Sequence, residues 1–215
     1  MTSGPPRQSH PLVEFWEIPK LPKIQDTPSV TNFPKKIFNG TTYEFTHLAP
    51  VVLHVPVNTE QITQVPVHVT FGCHCFTEAF NPDMHQDHHR YTHLNELRAF
   101  DIERFQCSLQ LPEVVNSMLG GRVYHADESF TYVAQITLPP GANQQSYSVF
   151  FSLRKDHRAT APTVKMYIKS AYLRTLASKS QAQSWRFAAL VGTVAEVYPK
   201  KTKPSKPSRK TKNRT

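Results

Sequence analysis

Prolines are unevenly distributed along this chain, and they limit where regular secondary structure can form. Seven of the 18 prolines lie in the first 40 residues, among apolar residues such as Phe15 and Trp16. Because proline lacks a backbone N–H and fixes φ, this density excludes regular helices and interior strands. We therefore expect residues 1–40 to form a Pro-rich extended arm.

The C-terminal end carries nearly all of the net positive charge. The formal net charge is +9, and residues 199–215 hold 8 of the 25 Lys and Arg residues and none of the 16 Asp and Glu residues. Without apolar residues this segment cannot bury enough surface to offset its ordering entropy, so it is predicted to be a disordered basic tail. Such a tail can hold phosphate backbones by counterion release. Its candidate nucleic-acid-binding residues are Lys200, Lys201, Lys203, Lys206, Arg209 and Lys210.

Residues 41–198 are predicted to form a single α+β domain. β-type residues alternate between residues 51 and 71 around a polar turn, which predicts two antiparallel strands. A helical segment follows, with Asp101 as N-cap and a break at Pro112. Three strands over residues 130–172 then predict a meander. We expect an antiparallel sheet packed against one helical segment.

The sequence contains no signal for a membrane or an oxidising compartment. No stretch approaches the roughly 18 apolar residues that a membrane-spanning helix needs, and the N-terminus lacks the apolar core of a signal peptide. Three cysteines are too few for a disulfide framework. These features predict a cytoplasmic protein with reduced thiols and no membrane partner.

A cluster of cysteines and histidines is the most conspicuous chemical feature. Cys73 and Cys75 would share one face of a strand, as two ligands of one metal ion do. The spacing matches no closed zinc site, however, so we expect no bound metal and no cofactor. The thiols are then small buried residues, and the histidines lie on a solvated loop. The histidines are His85, His88, His89 and His93.

A second set of residues suits RNA cleavage without a metal, which needs an acid, a base and a cation for the phosphorane. The candidate catalytic residues are His125, Arg154, Lys169 and Tyr172. His125 is the candidate acid or base, because histidine is the side chain whose unperturbed pKa lies near neutral pH. Arg154 or Lys169 would stabilise the phosphorane, and Tyr172 would donate a proton or stack on a base.

Two further arginines, Arg98 and Arg104 near the helix start, are candidate nucleic-acid-binding residues. Strand alternation predicts that Lys169 and Ala171 share one face, with Ser170 and Tyr172 on the other. The alternative is that these cations are solvated residues at strand edges. Tyr172 would then have a buried ring whose hydroxyl contacts water.

Five segments carry a resemblance to a known family. They are FGCHCFT (71–77), RAFDIERF (98–105), LPEVV (111–115), YSVFFSLRK (147–155) and MYIKSAYLR (166–174). In this order they resemble a bacterial family found on mobile elements and labelled stationary-phase growth adaptation protein. The closing strand also resembles, more faintly, the barnase, EndoU, colicin and RelE group of small ribonucleases. That likeness implies a four-stranded antiparallel sheet packed on an N-terminal helical part, with RNA cleaved across the sheet face.

Together these features predict an RNA-handling protein that binds RNA or another nucleic acid. Its main predicted form is a metal-independent endoribonuclease of toxin or phage-defence type, which would have an antitoxin or another protein as a second partner. Two alternatives remain open: a non-catalytic module that binds nucleic acid or protein, and a zinc-stabilised regulatory domain built on the Cys-His cluster.

Overall fold

The computed structural model describes residues 33–126, 129–136, 145–174 and 184–198. Most of the predicted arm and the whole basic tail lie outside these ranges. The strands are β1 Lys36–Phe38, β2 Thr41–Tyr43, β3 Val51–Pro56, β4 Gln64–His74, β5 Thr77–Ala79, β6 Arg90–His93, β7 Glu96–Phe100, β8 Arg122–Ala126, β9 Ser129–Ile136, β10 Gln145–Lys155, β11 Val164–Leu173 and β12 Ser184–Arg186. The α-helices are α1 Ile102–Ser108, α2 Leu111–Ser117 and α3 Phe187–Val194.

A seven-stranded mixed sheet dominates the fold. Its strand order is β12-β8-β9-β10-β11-β4-β3. The predicted antiparallel pair is β3 and β4, and the predicted meander is β9, β10 and β11. The prediction of a purely antiparallel sheet was wrong, because β11 pairs with β4 in parallel. The β3–β4 hairpin thereby joins the meander in one mixed sheet. The protein is still of α+β type, with three helices beside a mostly β structure over the described ranges.

Two smaller sheets flank the large one. β1 and β2 form a hairpin, and β1 lies inside the last part of the predicted arm. β5, β7 and β6 form a three-stranded antiparallel sheet. Both tight turns use positive φ: Asn39 and Gly40 connect β1 to β2, and Leu94 and Asn95 connect β6 to β7. Two-residue turns of this kind match the twist of the strands that they join.

The helical segment forms as its capping residues predict. The Asp101 side chain accepts hydrogen bonds from the backbone N–H groups of Glu103 and Arg104, which starts α1. Pro112 lies in the first turn of α2, where its missing N–H costs nothing. The apolar segment near the C-terminus, ambiguous from its pattern, divides into the short strand β12 and α3.

The core lies against one face of the seven-stranded sheet. Alternate residues of β4 and β11, including Val67, Val69, Met166 and Ile168, are at most 1% exposed. Phe151 of β10 contacts Phe187 of α3, with ring centroids 6.2 Å apart. A second aromatic cluster joins the small sheets to this core, with Phe45 and Phe76 stacked at 4.0 Å. Burial of these side chains is the main stabilising contribution.

Within the described residues, no helix is long and apolar enough to cross a membrane.

Candidate functional site

The face of the large sheet that turns away from the core is polar and positively charged. Strand alternation places Arg154 of β10, Lys165 and Tyr167 of β11, and His68 and Thr70 of β4 on this side, because their chain neighbours face the core. The pairing register brings Arg154 opposite Lys165 and Lys165 opposite His68. We call this surface the outer face.

A groove lies across the middle of the outer face. It has a volume of about 420 Å³ and is open to solvent. Its walls come from β4, β10 and β11, and its lining residues are His68, Thr70, Ser152, Arg154, Lys165, Met166 and Tyr167. Three of these side chains carry or can carry positive charge and three carry hydroxyl groups. The groove therefore offers hydrogen-bond donors and cations to an anionic ligand.

The cations of the outer face differ in how far they are neutralised. Lys165 Nζ lies 2.8 Å from Asp156 Oδ2, and this hydrogen bond is the main cause that lowers the pKa of Asp156. Arg154 and Lys169 are exposed, and neither forms an ion pair within the part of the chain that the structure describes. These two side chains consequently carry the accessible positive charge.

A β-bulge at Lys169 changes which residues share the outer face. Against β10, Ile168 pairs with Phe151 and Ser170 pairs with Phe150, which leaves Lys169 as an extra residue. Lys169 is therefore exposed while Ala171 is fully buried, so these two residues do not share a face. The alternation expected for this strand was wrong at this point. Tyr172 comes to the same side as Lys169, and its ring stacks on Phe150 at 5.2 Å.

Tyr167 presents an aromatic ring on the outer face. It is 45% exposed, and its hydroxyl packs against Gly72 of β4, where an added Cβ would lie 2.5 Å from the hydroxyl oxygen. Burial of the hydroxyl end, followed by the nearby Cys73, Cys75 and Glu96, raises the pKa of Tyr167. The hydroxyl therefore stays protonated, and half of the ring remains available for stacking.

The four predicted catalytic residues do not come together. His125 of β8 pairs with Phe130, and Phe130 pairs with the core residue Phe151, so His125 lies on the core side of the sheet at its rim. Its ring centroid is 5.6 Å from that of Phe130. Arg154, Lys169 and Tyr172 lie on the opposite side.

The three outward residues are also far apart along the strands. Arg154 is opposite Lys165, which is four residues from Lys169 and seven from Tyr172. At about 3.3 Å per residue, the set spans roughly 20 Å. An acid, a base and a phosphorane-stabilising cation must all reach one phosphate, and this spacing does not allow it.

The predicted binding residues Arg98 and Arg104 mainly make internal contacts. Arg98 Nε donates to Thr77 Oγ1 at 2.8 Å, and Arg104 Nη1 donates to the Thr77 carbonyl oxygen at 2.9 Å. The Arg104 guanidinium also lies 4.9 Å from the ring centroid of Tyr172. Their side chains are 11% and 23% exposed, which leaves little of either cation for a ligand. The lysines and arginines predicted in the tail lie outside the described residues.

The predicted Cys-His cluster divides into separate parts. Cys75 is fully buried in the turn after β4, and burial raises its pKa to about 12. His85 pairs with Glu78 through an Nε2–Oε1 distance of 2.9 Å. The rings of His88 and His89 contact each other in a tilted arrangement, with centroids 4.1 Å apart, beside Phe38 at the edge of the β1–β2 hairpin. These contacts of His85, His88 and His89 do not involve Cys73 or Cys75.

Cys73 has different neighbours from those expected. The side chains of Cys73, His74 and Glu96 each offer a ligand atom, and these atoms all lie within 4.8 Å of one another. Glu96 comes from β7, more than twenty residues along the chain. Sequence reasoning missed it, since nothing in the local pattern indicates that the start of β7 lies beside the end of β4.

Comparison with known proteins identifies a family. The model of the YjaZ family matches residues 34–195, which is most of the chain. No curated protein and no solved structure matches. The family assignment made from the sequence is therefore corrected, because the comparisons give no evidence for the stationary-phase growth adaptation label or for the ribonuclease group. The chain belongs to the YjaZ family.

Proposed function

We propose that the outer face is a non-catalytic binding surface for single-stranded nucleic acid, with RNA as the preferred ligand. The observation that carries this proposal is the pair of exposed cations Arg154 and Lys169, which have no carboxylate partner among the described residues and lie on the same face as the exposed ring of Tyr167. Cations that follow a phosphate backbone, together with rings on which bases stack, are the two elements of such sites.

The shape of the surface favours a linear polymer over a compact anion. The cations and rings are distributed along β10 and β11 over roughly 20 Å, a distance given by strand geometry. The groove of about 420 Å³ between β4 and β10 would hold one unit of the polymer beside Tyr167. The neighbouring His68 and Lys165 add further donors, although Lys165 shares its charge with Asp156.

Binding is a better account of this surface than cleavage. The only predicted acid-base residue with an imidazole, His125, lies on the other side of the sheet from Arg154 and Lys169. Arg154, Lys169 and Tyr172 can position phosphates but include no imidazole, and His68, the imidazole that lines the groove, enters the proposal as a hydrogen-bond donor. The same proposal places the protein in the cytoplasm. Its support is that the three cysteines are free and buried rather than paired in disulfides.

The test is a binding titration of the full chain with a fluorescently labelled single-stranded RNA of mixed sequence. Arg154→Ala and Lys169→Ala should each lower affinity and reduce the slope of log affinity against log salt by about 0.7, the value for one phosphate contact on a single strand. Tyr167→Ala should weaken binding by about 1–3 kcal/mol through lost base stacking, whereas Tyr167→Phe should retain most of it.

Arg186→Ala is the matched control. Arg186 is also an exposed arginine, but it lies on β12 at the far edge of the sheet. If Arg186→Ala weakened binding as much as Arg154→Ala, the affinity would reflect only overall charge and the outer face would not be the site. Cleavage of the RNA by wild type in excess chelator would instead restore the enzyme interpretation.

A further inference from the structure

The junction between the large and small sheets assembles three side chains of different chemical types. Cys73 and His74 end β4, and Glu96 begins β7. His74 Nε2 lies 3.0 Å from both carboxylate oxygens of Glu96, and the thiol lies within 4.8 Å of the other two ligand atoms. A thiol, an imidazole and a carboxylate on two separate strands are therefore brought to one point.

Hydrogen bonds behind these three side chains hold them in place. Thr77 is fully buried, and its hydroxyl donates to the Cys73 carbonyl oxygen at 2.7 Å while accepting from Arg98 Nε at 2.8 Å. Arg98 Nη1 donates to Glu96 Oε1 at 2.9 Å. The carboxylate and the backbone of the cysteine are thus fixed through one threonine and one arginine. Outer partners of this kind orient the ligands in metal sites.

The geometry points to a binding site for a zinc-like divalent cation formed by Cys73, His74 and Glu96. In a tetrahedral zinc site, bond lengths of about 2.0–2.3 Å place the ligand atoms roughly 3.3–3.6 Å apart, so shifts of about 1 Å or less would close the set. Thiolate and imidazole select zinc over magnesium or calcium, which prefer oxygen ligands.

The exposure of the three ligands indicates an open coordination position. Cys73 is 5% exposed, whereas the side chains of His74 and Glu96 are 25% and 49% exposed. The ion would be held from the inside by the thiolate and would face solvent on the other side, which leaves a fourth position for water or a ligand. Three protein ligands with one open position are typical of catalytic rather than structural zinc sites.

This site differs from the one that the sequence pattern suggests. The C-x-C spacing pairs Cys73 with Cys75, but Cys75 turns into the core, where its Sγ lies 3.9 Å from the Ile168 carbonyl oxygen. The second and third ligands are instead the intervening histidine and a carboxylate from another sheet. The inference is also independent of nucleic-acid binding on the outer face.

The test is a titration of the purified, metal-free full chain with Co²⁺, which absorbs in the near ultraviolet by charge transfer when a thiolate binds it. Wild type should bind one Co²⁺ per chain with this band, and added Zn²⁺ should displace it. Cys73→Ser should abolish the band, and Glu96→Gln should lower Co²⁺ affinity by at least about 10-fold, since even outer partners contribute that much.

Glu78→Gln is the matched control, because Glu78 also pairs with a histidine, His85, at 2.9 Å but has no thiol beside it. It should leave both the band and the affinity unchanged. The absence of a charge-transfer band in wild type, or its persistence in Cys73→Ser, would overturn the inference. If Cys73→Ser failed to fold by circular dichroism, the half-exposed Glu96→Gln would decide: unchanged affinity would refute the site.

Discussion

Single residues of this protein gain their properties from neighbours that are distant in the chain. The hydroxyl of Ser108 donates to the Phe105 carbonyl oxygen at 2.7 Å, so it can only accept from His47 Nε2, which lies 2.8 Å away. The neutral ring with a proton on Nε2 satisfies this arrangement. Burial lowers the pKa of His47 to about 4.

The depressed pKa of His47 makes stability depend on pH. The unfolded chain binds a proton at this histidine below about pH 6.5, whereas the folded chain does not until about pH 4. Protons therefore favour unfolding, and the contribution of neutral His47 is complete above about pH 6.5 and declines as the pH falls towards 4. In urea denaturation, the free energy of unfolding should fall less steeply over this range in His47→Gln than in wild type.

Comparison of slopes isolates this histidine from the carboxylates. Acidification also removes the stabilising contributions of Glu96 and Asp156, because hydrogen bonds from His74 and Lys165 lower the pKa values of these carboxyl groups. They are present in both proteins, so their contribution cancels in the difference. His54→Gln, at an exposed position of β3, should keep the wild-type slope. An equal slope in His47→Gln and wild type would show that His47 titrates normally in the folded state.

Residue types were predictable at the candidate sites, but their grouping was not. The exposed cations Arg154 and Lys169 could be selected from composition and strand position alone. The separation of His125 depends on the β8–β9 pairing, and the approach of Glu96 to Cys73 depends on contact between two sheets. Neither is encoded in a local pattern, since both result from how distant strands pack.

At the scale of elements, local signals worked well where they act within a few residues. The Asp101 cap, the helix start at Pro112 and the β3–β4 hairpin all follow from short-range chemistry. The parallel pairing of β11 with β4 joins residues nearly a hundred positions apart, and strand alternation is equally compatible with an antiparallel neighbour. The bulge at Lys169 likewise has no proline or glycine in β11 to indicate it.

The turn between β6 and β7 contains a residue that is poorly suited to its backbone. Leu94 has φ of 46°, in the left-handed region that costs L-residues about 1–2 kcal/mol, and its side chain is 86% exposed. Asparagine tolerates this conformation better. Leu94→Asn should therefore stabilise the hairpin that presents Glu96 by about 1 kcal/mol, a share of the left-handed cost, without loss of core packing.

Thermal and urea denaturation would measure the effect of Leu94→Asn. Leu97→Asn is a suitable comparison, because Leu97 is also an exposed leucine of the hairpin but lies in β7, outside the turn. It should be neutral or destabilising, since asparagine is unfavourable in strands. A loss of stability in Leu94→Asn would mean that the leucine makes a contact that compensates for its backbone conformation.

At the scale of the whole molecule, charge is divided between two regions. Residues 1–198 are nearly neutral, and residues 199–215 contain 8 of the 25 basic residues. The match to the YjaZ family ends at residue 195, before this segment begins. The outer face thus contributes a small number of positioned cations, while the C-terminal segment contributes a high density of positive charge without acidic residues.

These two regions should affect nucleic-acid binding differently. Deletion of residues 199–215 should leave the melting temperature unchanged, because the described core ends before them, and should weaken RNA binding mainly at low salt. The Debye length falls from about 10 Å at 0.1 M salt to about 3 Å at 1 M, so a charge-based advantage should shrink as salt increases.

Tyr167→Ala acts through stacking and should weaken binding at both low and high salt. Its effect should be additive with the deletion in free energy, since the two act by separate contacts. A clear fall in melting temperature after deletion would instead make the segment part of the folded domain, and unchanged low-salt affinity would remove it from the binding surface.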